Sequence, residues 1–135
     1  MIFTIEGTVT SGFGRGKEFI TIEGYTRQFR ERLGYEPYPG TLNLEVSQSD
    51  GYCLRHVDPI CIDGWEEGES SFGAVYCYPA STPSYENTLQ LHAITPKRTD
   101  HDESTIELIS DINLRNTLGL SDGDVLEIRL DTDIL

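Results

Sequence analysis

Apolar and polar residues alternate with period two from Ile2 to Val9, which predicts a β-strand at the start of the chain. Ser11-Gly12-Phe13-Gly14-Arg15-Gly16 then reads as a glycine-rich loop, and Phe19-Ile20-Thr21-Ile22 as a second strand. Tyr25, Phe29 and Leu33 recur every fourth residue and predict a short amphipathic helix stopped by Gly34. After the turn signals of Glu36-Pro37-Tyr38-Pro39-Gly40, Thr41 to Val46 alternates again, with Thr41 and Asn43 on one face. Further strands are predicted over Pro59–Ile62, Phe72–Tyr78, Leu89–Ile94, Thr105–Ile109 and Val125–Leu130. An acidic turn, Asp63 to Glu69, separates the first two of these, and residues 80–87 read as a polar loop. Asp111 is placed to cap a helix from Ile112 to Leu118, with Gly119 as its stop. Many short strands, few helices and turns rich in glycine and proline predict a closed or nearly closed barrel.

The chain has 135 residues, of which 37% are hydrophobic, and this predicts one domain over residues 1–135. No apolar run reaches the roughly 20 residues that span a bilayer. The N-terminus lacks a basic leader segment, so a cytoplasmic protein without a membrane partner is expected. Cys53, Cys61 and Cys77 are odd in number and form no CxxC pair, which argues against a zinc site or a disulfide framework. The net charge of −13 argues against nucleic acid as a partner, because a duplex binder needs a basic face. It also fits a salt-adapted host. There are only two lysines, Lys17 and Lys97. From Glu45 to Glu86 the chain has eight acidic residues and one basic residue, Arg55. A polyphosphate ligand would need cations retained locally against this field.

Three segments could carry chemistry. In Gly12-Phe13-Gly14-Arg15-Gly16-Lys17, glycines allow backbone N–H groups to approach phosphate oxygens, with Arg15 and Lys17 beside them. The segment is neither a Walker A loop nor a dinucleotide fingerprint, and an ordinary glycine-rich hairpin would look similar. In Pro39-Gly40-Thr41-Leu42-Asn43-Leu44, the paired hydroxyl and carboxamide are hard neutral oxygen donors suited to magnesium. The same alternation also describes a solvent-facing strand edge. The third segment is Pro96-Lys97-Arg98-Thr99-Asp100-His101, followed by Glu107 and Asn113-Leu114-Arg115. It offers cations, a hydroxyl and a carboxylate, although a strand glutamate is commonly just the outer face.

The order of these pieces resembles the archaeal CTP-dependent riboflavin kinases: a G-x-G-x-G loop, then E-P-Y-x-G-T-L-N-L, P-K-R-T-x-H, a strand glutamate, L-R and D-G-D-V. The likeness covers residues 5–46 and 92–130 and is weak between them. It departs from the family at Asp100, commonly tyrosine, and at Ser110-Asp111, commonly Ala-Pro. The resemblance implies a mainly β fold, a six-stranded cradle-loop barrel with two short helices. It implies nucleotide binding by Phe13, Gly14, Arg15, Gly16, Lys17 and Glu18, closed on the other side by Ile112, Asn113, Leu114 and Arg115. It also implies magnesium on Thr41 and Asn43, and flavin contacts from Thr99 and Glu107.

The expected reaction moves the γ-phosphoryl group of CTP to the 5′-hydroxyl of riboflavin, giving FMN and CDP, with Glu107 as a candidate base. A monomer with these small-molecule partners is expected. Two other classes stay open: a flavin- or nucleotide-binding module without turnover, and a barrel-type DNA-binding regulator.

Overall fold

A computed structural model describes residues 2–11, 20–54, 57–83, 85, 89–96 and 104–131. Strand β1 (Ile2–Thr10) is followed by helix α1 (Glu23–Leu33), β2 (Leu42–Glu45) and α2 (Gln48–Leu54). Three short strands come next: β3 (Ile60–Ile62), β4 (Trp65–Glu67) and β5 (Ser70–Phe72). The chain ends in β6 (Val75–Ser81), β7 (His92–Pro96), β8 (Thr105–Ile109), α3 (Leu114–Leu118) and β9 (Val125–Asp131).

The fold is mainly β. Six antiparallel strands run in the order β6-β7-β8-β2-β1-β9, and the pairing of Ala80 with Leu130 and Ser81 with Arg129 closes the ring. Strand β3 adds to the outer edge of β6, and β4–β5 form a separate hairpin. Closure removes the unpaired edges that an open sheet would present.

Alternation decides what fills the barrel. Leu42 and Leu44 of β2, Ile106 and Leu108 of β8, and Ile128 and Leu130 of β9 all point into one buried cluster. Burying each such side chain stabilises the fold by roughly 1.5–3 kcal/mol. The intervening residues Asn43 and Glu107 therefore project from the outer face.

A second buried cluster lies outside the barrel wall. Val75 and Cys77 of β6, Ile94 of β7 and Ile109 of β8 pack against Ile20, Tyr25 and Phe29. The α1 periodicity thus covers that part of the wall, and Gly34 ends the helix at φ 86°, its N–H donating to the Arg30 carbonyl. The β4–β5 hairpin clasps the same helix. Its Trp65 stacks on Phe72 at 4.5 Å and meets Tyr25 edge-on at 4.7 Å. Gln28 Nε2 donates to the Asp63 carbonyl, and the Asp63 N–H donates back to Gln28 Oε1. Gly24 is required by this contact, because a Cβ there would overlap the Trp65 indole.

A buried polar pair lies where the helix layer meets the wall: Tyr35 Oη and His92 Nδ1 are 2.7 Å apart. Burial pushes the His92 imidazolium down to about 4 and raises the Tyr35 phenol above its ordinary value.

The structure corrects several sequence expectations. Among the described residues there are three helices rather than two. The additional one, α2, starts where Ser47 Oγ accepts from the Asp50 N–H. Ile20–Ile22 form no strand, and the Ile22 carbonyl instead accepts from the Tyr25 and Thr26 N–H groups at the start of α1. Phe19 lies outside the described residues. Asp111 does not cap α3. That helix begins two residues later than expected, with Asn113 as its cap, accepting from the Asn116 N–H at 3.1 Å. The Ser110 carbonyl is held by the Tyr38 N–H, which fixes the chain in a bend before the helix starts. The predicted strand over Phe72–Tyr78 is broken into the end of β5 and the start of β6.

Candidate functional site

Strand register assembles a row of residues across the outer face. Thr10 of β1 pairs with Asn43 of β2, Asn43 with Glu107 of β8, and Glu107 with Ile94 of β7. Thr41, just before β2, donates its hydroxyl hydrogen to Glu107 Oε1 at 2.8 Å. A hydroxyl, a carboxamide and a carboxylate are thus brought onto one half-buried patch. Glu107 stands at its boundary, with polar Asn43 on one side and fully packed Ile94 on the other.

A cleft of about 160 Å³ opens beside this patch, lined by Tyr38, Thr41, Leu42, Asn113, Leu114 and Arg115 among others. Asn113 Nδ2 donates to Tyr38 Oη at 3.2 Å and closes one wall. Tyr38 also borders a second hollow of about 480 Å³, which includes Thr26, Glu36 and Asp111. The Arg115 guanidinium donates to the Thr10 carbonyl at 3.4 Å, so a cation is held against the residue opposite Asn43.

Arg115 is anchored on its other side as well. It forms an ion pair of 2.9 Å with Asp122, and Asp122 accepts from Ser11 Oγ at 2.5 Å. The Ser11 hydrogen bond and Arg115 hold the Asp122 carboxyl below the usual carboxylate value. The turn that presents Asp122 is fastened to the end of β1: the Gly123 N–H donates to the Val9 carbonyl, and the Val9 N–H to the Asp124 carbonyl, both at 2.8 Å. Gly123 adopts φ 93°, a conformation that favours glycine. Asp124 Oδ2 accepts from the Ser121 N–H and closes the turn.

Of the residues singled out from sequence, the structure brings Thr41, Asn43, Glu107 and Ile112–Arg115 into one neighbourhood. Phe13–Glu18 and Thr99, with Lys97, Arg98, Asp100 and His101, lie outside the described residues. Two participants were missed in sequence. Asp122 and Tyr38 fall in turn signals and in the family motifs D-G-D-V and E-P-Y-x-G-T-L-N-L, but neither was given a role at the site. Their spacing from Arg115 and Asn113 along the chain gives no sign of the contact.

The donor chemistry can be tested for a metal. Among the described residues no group of three or more His, Cys, Asp or Glu gathers. Thr41 gives its hydrogen to Glu107 and keeps oxygen lone pairs, and Asn43 adds a carboxamide. This oxygen set fits a hard divalent cation that completes its shell with water and phosphate.

A family model described as a domain of unknown function, DUF120, with the short name CTP-dep_RFKase, matches residues 9–130. The chain belongs to the archaeal CTP-dependent riboflavin kinase family. A riboflavin kinase of Haloquadratum walsbyi is 44% identical over 133 residues, which is 96% of this chain and 57% of that protein. A riboflavin kinase of Halobacterium salinarum is 40% identical over 131 residues, 94% of this chain and 56% of the relative. A third, from Archaeoglobus fulgidus, is 39% identical over 129 residues, 93% of this chain and 54% of the relative. The chain therefore spans a little over half the length of these family members. Among the described residues no helix is long and apolar enough to cross a membrane.

Proposed function

We propose that the chain, as one catalytic barrel domain, transfers the γ-phosphoryl group of CTP to the 5′-hydroxyl of riboflavin. The observation that carries this reading is the convergence of Thr41, Asn43 and Glu107 on the outer face, beside a cleft that holds Arg115. Family membership supplies the substrate class.

In the proposed reaction a bond forms between the riboflavin 5′-oxygen and the γ-phosphorus. The bond from that phosphorus to the β–γ bridging oxygen breaks, and CDP leaves. Such transfer depends mainly on positioning and charge neutralisation. Magnesium, when bound by Thr41 and Asn43, would supply charge neutralisation at the phosphate oxygens. Arg115 lines the cleft and serves as a fixed cation for the polyphosphate. Residues Phe13–Glu18 would contribute backbone N–H groups and the Arg15 and Lys17 cations, and Thr99 a flavin contact.

Glu107 has two tasks in this scheme. One carboxylate oxygen accepts from Thr41 and thereby turns the Thr41 lone pairs outward. The carboxylate also orients the riboflavin hydroxyl and takes its proton as the new O–P bond forms. The partners are riboflavin, FMN, CTP and CDP. The protein acts as a cytoplasmic monomer without nucleic acid or membrane.

Incubation with riboflavin, magnesium and each of CTP, ATP, GTP and UTP, followed by chromatography for FMN, tests the reading. FMN is expected with CTP above the other three. Equal use of ATP would refute the donor assignment. Absence of FMN with every nucleotide would refute the kinase reading and favour a binding module without turnover.

A further inference from the structure

We propose that Asp122 is a positioning residue for the nucleotide: it fixes the Arg115 guanidinium in the cleft, and Ser11 fixes Asp122. This rests on the reading of the cleft as the nucleotide site.

Three contacts carry the inference. Arg115 is on α3, a helix of five residues, and its side-chain contacts to Asp122 and the Thr10 carbonyl both come from outside that helix. Asp122 holds it at 2.9 Å, from a turn that is itself bonded through two backbone hydrogen bonds to Val9. Ser11 then binds the second oxygen of the same carboxylate at 2.5 Å, so neither oxygen of Asp122 is left to rotate freely. The Thr10 carbonyl receives the other arm of the guanidinium. Arg115 is thereby tied to the end of β1, the strand position opposite Asn43, before any phosphate arrives. A planar guanidinium fixed at two points loses less conformational freedom on meeting phosphate than a free one.

This arrangement makes an unusual prediction of sign. Asp122 is an anion close to a site for a polyanion. If it acted only through its charge, removing the charge would tighten nucleotide binding. If it acts by holding Arg115, removing the charge weakens binding. An exposed ion pair of this kind contributes little to overall stability, so the fold should be almost indifferent.

The test measures CTP affinity by calorimetry, KM for CTP and for riboflavin, and melting temperature for wild type, Asp122→Asn, Asp122→Glu, Ser11→Ala, Arg115→Ala and the Arg115→Ala/Asp122→Asn double variant. Asp122→Asn is expected to weaken CTP binding roughly tenfold, as misplacement of a binding group does. KM for riboflavin and the melting temperature should stay near wild type. Asp122→Glu should recover part of the affinity, and Ser11→Ala should weaken it by a smaller factor than Asp122→Asn. In the double variant the Asp122 change should add nothing to the Arg115 loss. Unchanged or tighter CTP binding by Asp122→Asn, with Arg115→Ala still impaired, would overturn the positioning role alone. Wild-type CTP affinity in Arg115→Ala would overturn the nucleotide reading of the cleft and the positioning role together.

Discussion

Asn43 and Glu107 are register partners on adjacent strands, and both project from the outside of the barrel while their neighbours Leu42, Leu44, Ile106 and Leu108 fill its interior. The consequence is a division of labour within a few residues. One face of β2 and β8 supplies core stability, and the other presents polar groups that can change without opening the core.

Thr41 provides the most specific test of the patch, because its hydroxyl both bonds Glu107 and offers lone pairs outward. Thr41→Ser keeps the hydroxyl and should retain most of the turnover. Thr41→Val keeps the shape and removes it. FMN formation by Thr41→Val is expected to fall about tenfold to a hundredfold, since the proposed magnesium ligand and the bond to Glu107 would be lost together. Equal rates for the two variants, measured under saturating substrates, would remove Thr41 from the site.

His92 sets an expected pH dependence of stability. Its folded-state value is depressed to about 4 by burial, against an ordinary 6.5. The unfolded chain therefore takes up a proton first as pH falls. The His92 contribution is complete above about pH 6.5 and is lost as pH falls toward 4, amounting to roughly 3 kcal/mol at most. Denaturant titrations across this range should show a steeper acid loss for wild type than for His92→Gln. Parallel losses would mean that the imidazole titrates normally in the folded protein.

Gly24→Ala opposes two effects. Alanine favours a helix by up to about 1 kcal/mol over glycine. The added methyl group, however, meets the Trp65 ring. Overpacking of this sort costs about 1–3 kcal/mol and should win. The variant should melt lower, with altered fluorescence from the single tryptophan. A higher melting temperature would show that the β4–β5 hairpin yields easily to the change.

The strand pattern was readable where one face is buried and the other is not, as in Thr105–Ile109, because period two is then written directly into residue type. It misled at Ile20 and Ile22. These β-branched residues look like a strand, yet Ile20 is buried under the helix layer and the Ile22 carbonyl is used to start α1. Helix α2 carries no apolar stripe in Gln48-Ser49-Asp50-Gly51-Tyr52-Cys53-Leu54. Its one legible sign was Ser47 followed three residues later by Asp50, the spacing of an N-cap. The hydroxyl–carboxamide pair of Thr41 and Asn43 was visible as local alternation. That Glu107 joins them depends on the β2–β8 register, a contact between residues 64 positions apart in the case of Asn43 and Glu107, which no local pattern encodes. Asp122 was hidden for the same reason, since its partners Ser11 and Arg115 come from different parts of the chain.

If phosphate is transferred at the outer-face patch around Asn43, the magnesium dependence of FMN formation should change in Asn43→Ala. Asn43 is half-buried, and its side chain lies outside the interior core, so the variant should fold and melt close to wild type. With CTP and riboflavin saturating, the rate should be lowered about tenfold to a hundredfold at ordinary magnesium levels and partly regained at high magnesium. A folded Asn43→Ala protein that forms FMN at the wild-type rate, with the wild-type magnesium dependence, would contradict transfer at this patch.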